Sequence, residues 1–382
     1  MSGMKIGFVA LGFPPDVGGT ELYNVEYAKR LHAAGHDLRV VTWESDSEGQ
    51  AEADAALPFE VRRLPMARRR KVIVPAGVPE ALREWGSEVA FVSRASRMMP
   101  DVVAAVARRV PTVVSVHELR EKHRGRNLFN RWRIRRRYGL DRAAAVTVNS
   151  EDTRARMVAL GVPEDRLAVV YPGCDVESFQ PDEAAGAALR AELGIGDRPM
   201  LLTVSRLASN KGHLQVLEVL PKVLERCPEL IYVVVGRGPM QEPIEARARE
   251  LGIADRVRLT GLVPSTRPYY QACDVFVMVS TPQNERANAG EGFGIAYVEA
   301  GACGKPVVAS DSGGGAEIVR DGETGRVVTP RDPAALADAL VELLGDRVRA
   351  AALGAAGRER VQRYDWGQGL IVLEETLRRA AA

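Results

Sequence analysis

Glu291 and Glu299 stand eight positions apart, separated by Gly292-Phe293-Gly294-Ile295-Ala296-Tyr297-Val298 and followed by Ala300-Gly301-Ala302-Cys303-Gly304-Lys305-Pro306. The apolar and small residues predict a helix that begins at the glycine-flanked Glu291 and ends at Gly304, with a strand after Pro306. Carboxylates on or beside so apolar a helix are costly to bury without partners. Eight helical residues rise about 12 Å and turn the second acid about 80° from the first. Acid and base pairs that share one glycosidic bond sit about 5–9.5 Å apart. The spacing therefore suits the two ends of one elongated ligand better than a single bond-breaking pair. Amides around Gly292-Phe293-Gly294 would open the helix, and a helix amino end attracts phosphate oxygens. A solvated Glu291 with a structural Glu299 fits the spacing equally well.

A second cluster favours the ligand. Ser205-Arg206-Leu207 follows the apolar run Met200–Val204, and Lys211-Gly212 opens the next helical stretch. Arg206 and Lys211 thus fall at a strand's carboxyl end, where open α/β sheets bind ligands. A guanidinium fork and a compact ammonium together suit a diphosphate, although either alone would more often be a surface cation. Hydroxyls at both ends and phosphates between describe a nucleotide sugar. Gly236-Arg237-Gly238 resembles the start of a dinucleotide fingerprint, but Gln241 stands where the third glycine belongs. That loop is expected to line a base pocket instead of an NAD site. No Asp-x-Asp or His-Glu-x-x-His occurs and the five histidines are scattered, so no metal is expected.

These residues need a scaffold. The chain has 382 residues, 46% apolar and 27% charged, an ordinary globular composition that excludes disordered, collagen-like and disulfide-scaffold classes. No 18-residue apolar run is present, and the short run after Lys5 reads as a first strand and not as a leader peptide. Cys174, Cys227, Cys273 and Cys303 form no close sequence pair and are expected to be reduced. Apolar runs at Lys5–Ala10, Leu38–Thr42, Glu88–Val92, Thr112–Val116, Ala145–Val148 and Leu167–Val170 alternate with helical stretches such as Glu21–Ala33 and Pro100–Arg108. Met200–Val204, Ile231–Val235, Val257–Leu259, Val275–Val279 and Pro306–Ala309 repeat the pattern. Near-continuous apolar strands between helices predict parallel sheets covered on both faces, twice over. Pro172–Pro199, rich in Pro and Gly, is expected to be the linker. A ligand cleft would lie between the two sheets.

Taken together, the motifs resemble glycosyltransferase family 4. The carriers are Ser205-Arg206-Leu207 to Lys211-Gly212, Glu291 to Glu299, and Ala302-Cys303-Gly304-Lys305-Pro306-Val307-Val308. Further matches run along the chain: Gly18-Gly19-Thr20-Glu21, His117-Glu118, Asn149-Ser150, Tyr171-Pro172-Gly173 with Asp175 and Phe179, Ser312-Gly313-Gly314 with Glu317, and Asp321-Gly322-Glu323-Thr324-Gly325. The resemblance implies a GT-B fold: two doubly wound Rossmann-like domains facing across a cleft that closes on binding. Residues 1–175 would bind the acceptor, 176–363 the nucleotide sugar, and 364–382 would form a helix packed back on the first domain. It also implies a retaining, metal-independent transfer of a hexose from a nucleoside-diphosphate sugar to a hydroxyl of a lipid, saccharide or small molecule, without a cofactor. Arg206 and Lys211 would neutralise the leaving diphosphate, Glu299 would hold the ribose, and Glu291 would lie beside the transferred sugar. Phe293 and Gly294 would offer amides, and Gly236 would belong to the donor pocket. Gly18 and Gly19 would admit close backbone approach. His117 would face the reacting centre, with Glu21 and Asn149 on the acceptor side. The wording Gly294–Glu299 is similar to phosphatidylinositol mannoside mannosyltransferases and to surface-polysaccharide enzymes. A nucleotide-sugar epimerase of the same fold is the alternative enzyme.

Charge is unevenly spread around a net +2: residues 1–180 hold 28 Lys/Arg against 23 Asp/Glu. Arg120–Arg137 carries nine cations and one acid, interleaved with Leu128, Phe129, Trp132 and Ile134. With Arg62-Arg63 and Arg68-Arg69-Arg70-Lys71, it could rest on an anionic membrane surface. A cytoplasmic protein, peripheral at the inner face of the membrane, is expected on that reading. A solvated face in a chain with 45 Arg and 7 Lys explains the clusters equally well. No nucleic-acid recognition module is present. A non-catalytic binder of anionic surfaces is the rival from another class. Residues 281–290, a long polar loop before Glu291, are expected to shape sugar or acceptor preference.

Overall fold

The computed structural model describes residues 3–16, 18–66, 68–69, 72–73, 77–95, 99–117, 128–281 and 291–382. Glu118, the Arg120–Arg126 part of the basic segment and most of the polar loop therefore lie outside the described residues. The chain divides into two units, one of residues 1–173 with 366–382 and the other of residues 174–365.

The first unit is built on a parallel sheet of strands β1 (Lys5–Val9), β2 (Asp37–Trp43), β3 (Glu60–Leu64), β6 (Val89–Val92), β7 (Thr112–Val116), β8 (Ala145–Val148) and β9 (Leu167–Val169). Between β3 and β6 lies a small hairpin of β4 (Arg68–Arg69) and β5 (Val72–Ile73). The sheet order is β3-β2-β1-β6-β7-β8-β9. The second unit repeats the plan with β10 (Met200–Val204), β11 (Ile231–Val235), β12 (Val257–Gly261), β13 (Val275–Met278), β14 (Val307–Ser310) and β15 (Gly325–Val328), in order β12-β11-β10-β13-β14-β15. Each order reverses once, between β1 and β6 and between β10 and β13. Those reversals are where doubly wound sheets leave a crevice at their carboxyl ends. The central strands are buried on both faces, as their unbroken apolar runs require.

The structure adds two edge strands to those expected and places a helix in the expected linker. The edge strands β3 and β15 were not legible, because a half-exposed edge such as Glu60-Val61-Arg62-Arg63-Leu64 carries no apolar run. The segment expected to be a linker holds a helix, Glu183–Glu192, whose Asp182 Oδ1 accepts from Ala185 N–H at 2.9 Å, and it belongs to the second unit. Gly186 of that helix lies against the Gln271 backbone, where a Cβ would come within 2.8 Å of the carbonyl oxygen. The units divide at 173/174 and 365/366, each two residues from the expected 175/176 and 363/364.

The final helix, Trp366–Ala381, is part of the first unit. Its Leu373, Leu377 and Trp366 share a core with Ile6, Phe8, Phe91 and Tyr27. Trp366 stands edge-on to Tyr27, with ring centroids 5.3 Å apart. Gly369 leaves room for the Tyr27 hydroxyl, which donates to the Tyr171 carbonyl at 2.5 Å. His36 Nδ1 accepts from Met4 N–H at 3.0 Å, so its proton sits on Nε2, which meets Glu374 Oε1 at 2.6 Å. All four cysteines are free.

Candidate active site

In the second unit, Lys211 is placed by the way its loop must turn. After β10 the chain runs through Ser205-Arg206-Leu207 and a short 3-10 turn, Ser209–Lys211, into the helix His213–Arg226. Gly212 joins them at φ +80°, and a Cβ there would fall 2.3 Å from the Val279 carbonyl oxygen. Only glycine allows the loop to press so close to the end of β13. Leu207 is held by its amide to the Arg237 carbonyl at 3.0 Å and by its own carbonyl, which accepts from Met240 N–H at 3.0 Å. Gly236 is buried, and a Cβ there would lie 1.9 Å from the Ser205 carbonyl oxygen. That contact accounts for the Gly236 glycine by itself; Gly236 braces the Arg206 loop.

Lys211 Nζ lies 2.5 Å from Glu291 Oε2, and the two side chains are 15% and 14% exposed. Ser280, two residues beyond β13, donates its hydroxyl to the same oxygen at 2.9 Å. Arg206 is exposed on the same loop and makes no ion pair among the described residues. His213 is buried, its Nε2 lies 3.1 Å from Ser205 Oγ, and desolvation lowers its pKa to about 4. It therefore stays neutral under Lys211.

The structure corrects the placement of Glu291. The helix starts at Ile295 after Gly294, so Glu291 precedes it and the helical separation of the two acids does not apply. Gly294 has φ +100° and a Cβ there would meet the Tyr297 ring at 2.4 Å, which fixes the start at a glycine. Glu291 instead bridges Gly313, with Gly314 N–H donating to the Glu291 carbonyl at 3.0 Å. Gly313 and Gly314 clear the backbone of Glu291 and Phe293, respectively. Phe293 is buried edge-on against Tyr364 at 5.3 Å. Its side chain is thus an anchor just before the helix start.

Glu299 lies on the helix, half-buried, with Oε2 accepting from the Tyr270 hydroxyl at 2.6 Å. Burial raises its pKa, and the tyrosine hydrogen bond works against that rise. The structure thus brings Lys211 to Glu291, leaves Arg206 exposed on the Lys211 loop, and gives Glu299 a separate partner. Ser280, Tyr270 and His213 were not anticipated. Ser280 had a signal, since it directly follows the apolar run Val275–Val279, whereas Tyr270 in the short helix Arg267–Ala272 had none.

In the first unit, His117 directly follows β7, 8% exposed, with Nε2 3.0 Å from Ser115 Oγ and its ring edge-on to Tyr23 at 4.4 Å. Desolvation first, and the nearby Arg94 second, lower its pKa to about 3. Asn149 is buried, donating from Nδ2 to the His117 carbonyl at 3.0 Å and accepting at Oδ1 from the Thr153 hydroxyl at 2.9 Å. It therefore fixes the end of β7 against the turn into the helix Glu151–Ala159. Gly18 and Gly19 begin the helix Gly19–Ala33; a Cβ on Gly18 would come within 2.4 Å of the Glu21 carboxylate, and one on Gly12 within 2.5 Å. Glu21 thus folds back over the turn that follows β1. No group of three or more His, Cys, Asp or Glu fit to hold a metal ion occurs among the described residues.

Two family models match the chain: Glycosyltransferase Family 4 over residues 17–178 and Glycosyl transferases group 1 over residues 187–360. The chain is 33% identical over 363 residues to a GDP-mannose-dependent alpha-(1-6)-phosphatidylinositol monomannoside mannosyltransferase of Mycolicibacterium smegmatis, covering 93% of each chain. The chain belongs to glycosyltransferase family 4. The transferase is also 32% identical over 391 residues to the protein of the same description from Mycobacterium tuberculosis, covering 98% of each. Among solved structures it is similar to Anabaena HepE in complex with UDP-glucose, with a TM-score of 0.82, 23% identity, and coverage of 98% of this chain and 99% of that one. That likeness places the transferase in the GT-B fold. No helix among its described residues is long and apolar enough to cross a membrane.

Proposed function

We propose that the transferase moves mannose from GDP-mannose to a hydroxyl of an inositol-containing mannoside lipid, with retention at the anomeric carbon and without a metal. The donor and acceptor come from the names of its full-length relatives. The observation that carries the reading is the meeting of Lys211 with Glu291, 80 residues apart in sequence, beside the β10/β13 reversal and the amino end of the helix Ile295–Ala302. On this reading the ammonium has three donors and can serve Glu291 and a phosphate oxygen together. Arg206 adds a second cation, and the amides after Phe293 and Gly294 add the positive end of a helix dipole. The acceptor oxygen attacks the anomeric carbon as its bond to the phosphate oxygen breaks. The diphosphate leaves with the electron pair and takes up the acceptor's proton on the same face. Glu291, kept in place by Ser280, lies beside the charge that develops on the sugar. Glu299 accepts hydrogen bonds from the ribose.

His117, neutral and held by Asn149, would orient the acceptor, with Glu21 and Gly18-Gly19 beside it in the first unit. Thermal shift with GDP-, UDP- and ADP-sugars tests the donor, since bound ligand raises the melting temperature by mass action. GDP-mannose should give the largest rise, and transfer in EDTA should persist with an α-linked product. Equal shifts by all three, or an inverted linkage, would overturn the reading.

The same proposal includes peripheral contact with an anionic membrane surface. The helix Leu128–Tyr138 exposes Phe129 and Trp132 beside Arg133 and Arg136, an apolar edge among cations. Flotation with anionic and neutral liposomes tests it: co-flotation with anionic vesicles at low salt is expected, and its absence there removes the membrane contact.

A further inference from the structure

Tyr270 has one polar atom, and the fold spends several contacts on aiming it. Its ring is fully buried, with Phe276 at 5.5 Å and Phe179 at 6.0 Å on its flanks. The helix that carries it, Arg267–Ala272, is clamped from outside. Arg190 Nε donates to the Ala272 carbonyl at 2.8 Å, Gln271 Nε2 to the Gln180 carbonyl at 2.9 Å, and Gly186 rests on the backbone of Gln271. From this fixed mount the hydroxyl reaches Glu299 Oε2 at 2.6 Å.

Glu299 forms no ion pair among the described residues, so a half-buried carboxylate depends on one neutral donor for its orientation. With one site on Oε2 taken by the tyrosine, Oε1 and the second site on Oε2 remain to accept from outside. We propose that Tyr270 is a positioning residue for donor binding, holding the Glu299 carboxylate in the orientation that receives the two ribose hydroxyls. This rests on the reading that Glu299 binds the ribose.

The surroundings make the idea testable by pH. The titratable groups facing Glu299 are Tyr270, Cys303 capping the end of its helix, and Cys174 on the chain entering the second unit. Arg358, from the helix Arg347–Val361, is turned to the Ala302 carbonyl. Burial pushes the Cys303 thiol up to about 12, and Cys174 and Tyr270 also rise. The tyrosine and both thiols therefore stay neutral beside Glu299. Its own pKa is raised by burial and held back by the Tyr270 hydroxyl.

Tyr270→Phe keeps the ring and removes the hydroxyl. Loss of a hydrogen bond to a charged group predicts a rise of roughly 10-fold in donor KM with kcat changed less than about threefold. The acid limb of donor affinity should move to higher pH, because Glu299 takes up its proton sooner. In the Glu299→Gln background the same change should add no further loss of donor affinity, the signature of a coupled pair. Unchanged donor KM and pH limb in Tyr270→Phe, with Glu299→Gln still impaired, would overturn the role of Tyr270 alone. If Glu299→Gln itself binds donor normally, the ribose reading fails instead. A lower melting temperature with no pH shift would mark Tyr270 as a packing residue and would also overturn the proposal.

Discussion

His117 and His213 are buried with pKa values lowered to about 3 and about 4, chiefly by desolvation. Each is neutral in the folded protein at pH values where the unfolded chain would bind a proton. Their stabilising neutrality is complete above the unfolded pKa of about 6.5 and is lost as pH falls toward the folded values. Between pH 6 and 4 the two together predict a loss of up to about 2.7 kcal/mol of stability per pH unit. Chemical denaturation across that range measures it, and His213→Asn should reduce the slope by about half. A flat profile would show that these rings are hydrated. The same neutrality means that His117 supplies no limb to the rate profile between pH 5 and 8. His117→Asn should lower the rate while leaving the profile's shape unchanged, and a lost limb would count against it.

At the scale of elements, the loops beyond β10 and β13 are where sequence and structure agree in part. Met200–Val204 and Val275–Val279 could be read because strands buried on both faces are apolar without interruption, and Lys211 could be placed because its loop follows one of them. The site's acids were harder. Glu291 looked helical because small residues follow it, yet the positive φ of Gly294 starts the helix later and bridging to Gly313 turns Glu291 toward Lys211. That pairing depends on a contact between segments more than 20 residues apart, which spacing does not encode. Tyr270 was invisible for the same reason, since only the folded unit brings it to Glu299. The element most sensitive to change is the turn at Gly212. Gly212→Ala must tolerate φ +80° and a Cβ 2.3 Å from the Val279 carbonyl oxygen. It is expected to cost at least about 2 kcal/mol and to displace Lys211. Urea denaturation together with donor KM checks both. Wild-type stability in the variant would mean that the loop can lift away freely.

At the scale of the molecule, the chain builds one doubly wound sheet, then a second, and finishes inside the first unit. Cys174 and Asp365 form a parallel bridge, and Cys174 N–H donates to the Tyr364 carbonyl at 3.0 Å. The two points where the chain enters and leaves the second unit are therefore side by side. Trp366 then locks the last helix to its own unit through Tyr27, with the Arg30 guanidinium over the ring at 5.4 Å. Trp366→Ala is expected to cost the first unit about 3–5 kcal/mol. Hydrogen exchange should quicken at β1 and β6 while β10 and β13 stay protected; equal loosening of both sheets would contradict independent cores.

The claim beneath the functional account is that a nucleoside diphosphate is held by the Lys211 loop of the second unit. Calorimetric titration of GDP into the native enzyme and Lys211→Ala, with melting temperatures measured alongside, tests it without any acceptor. Loss of a buried charge-assisted contact predicts binding weaker by about 10- to 100-fold in the variant. Equal affinity in two equally folded proteins would contradict it.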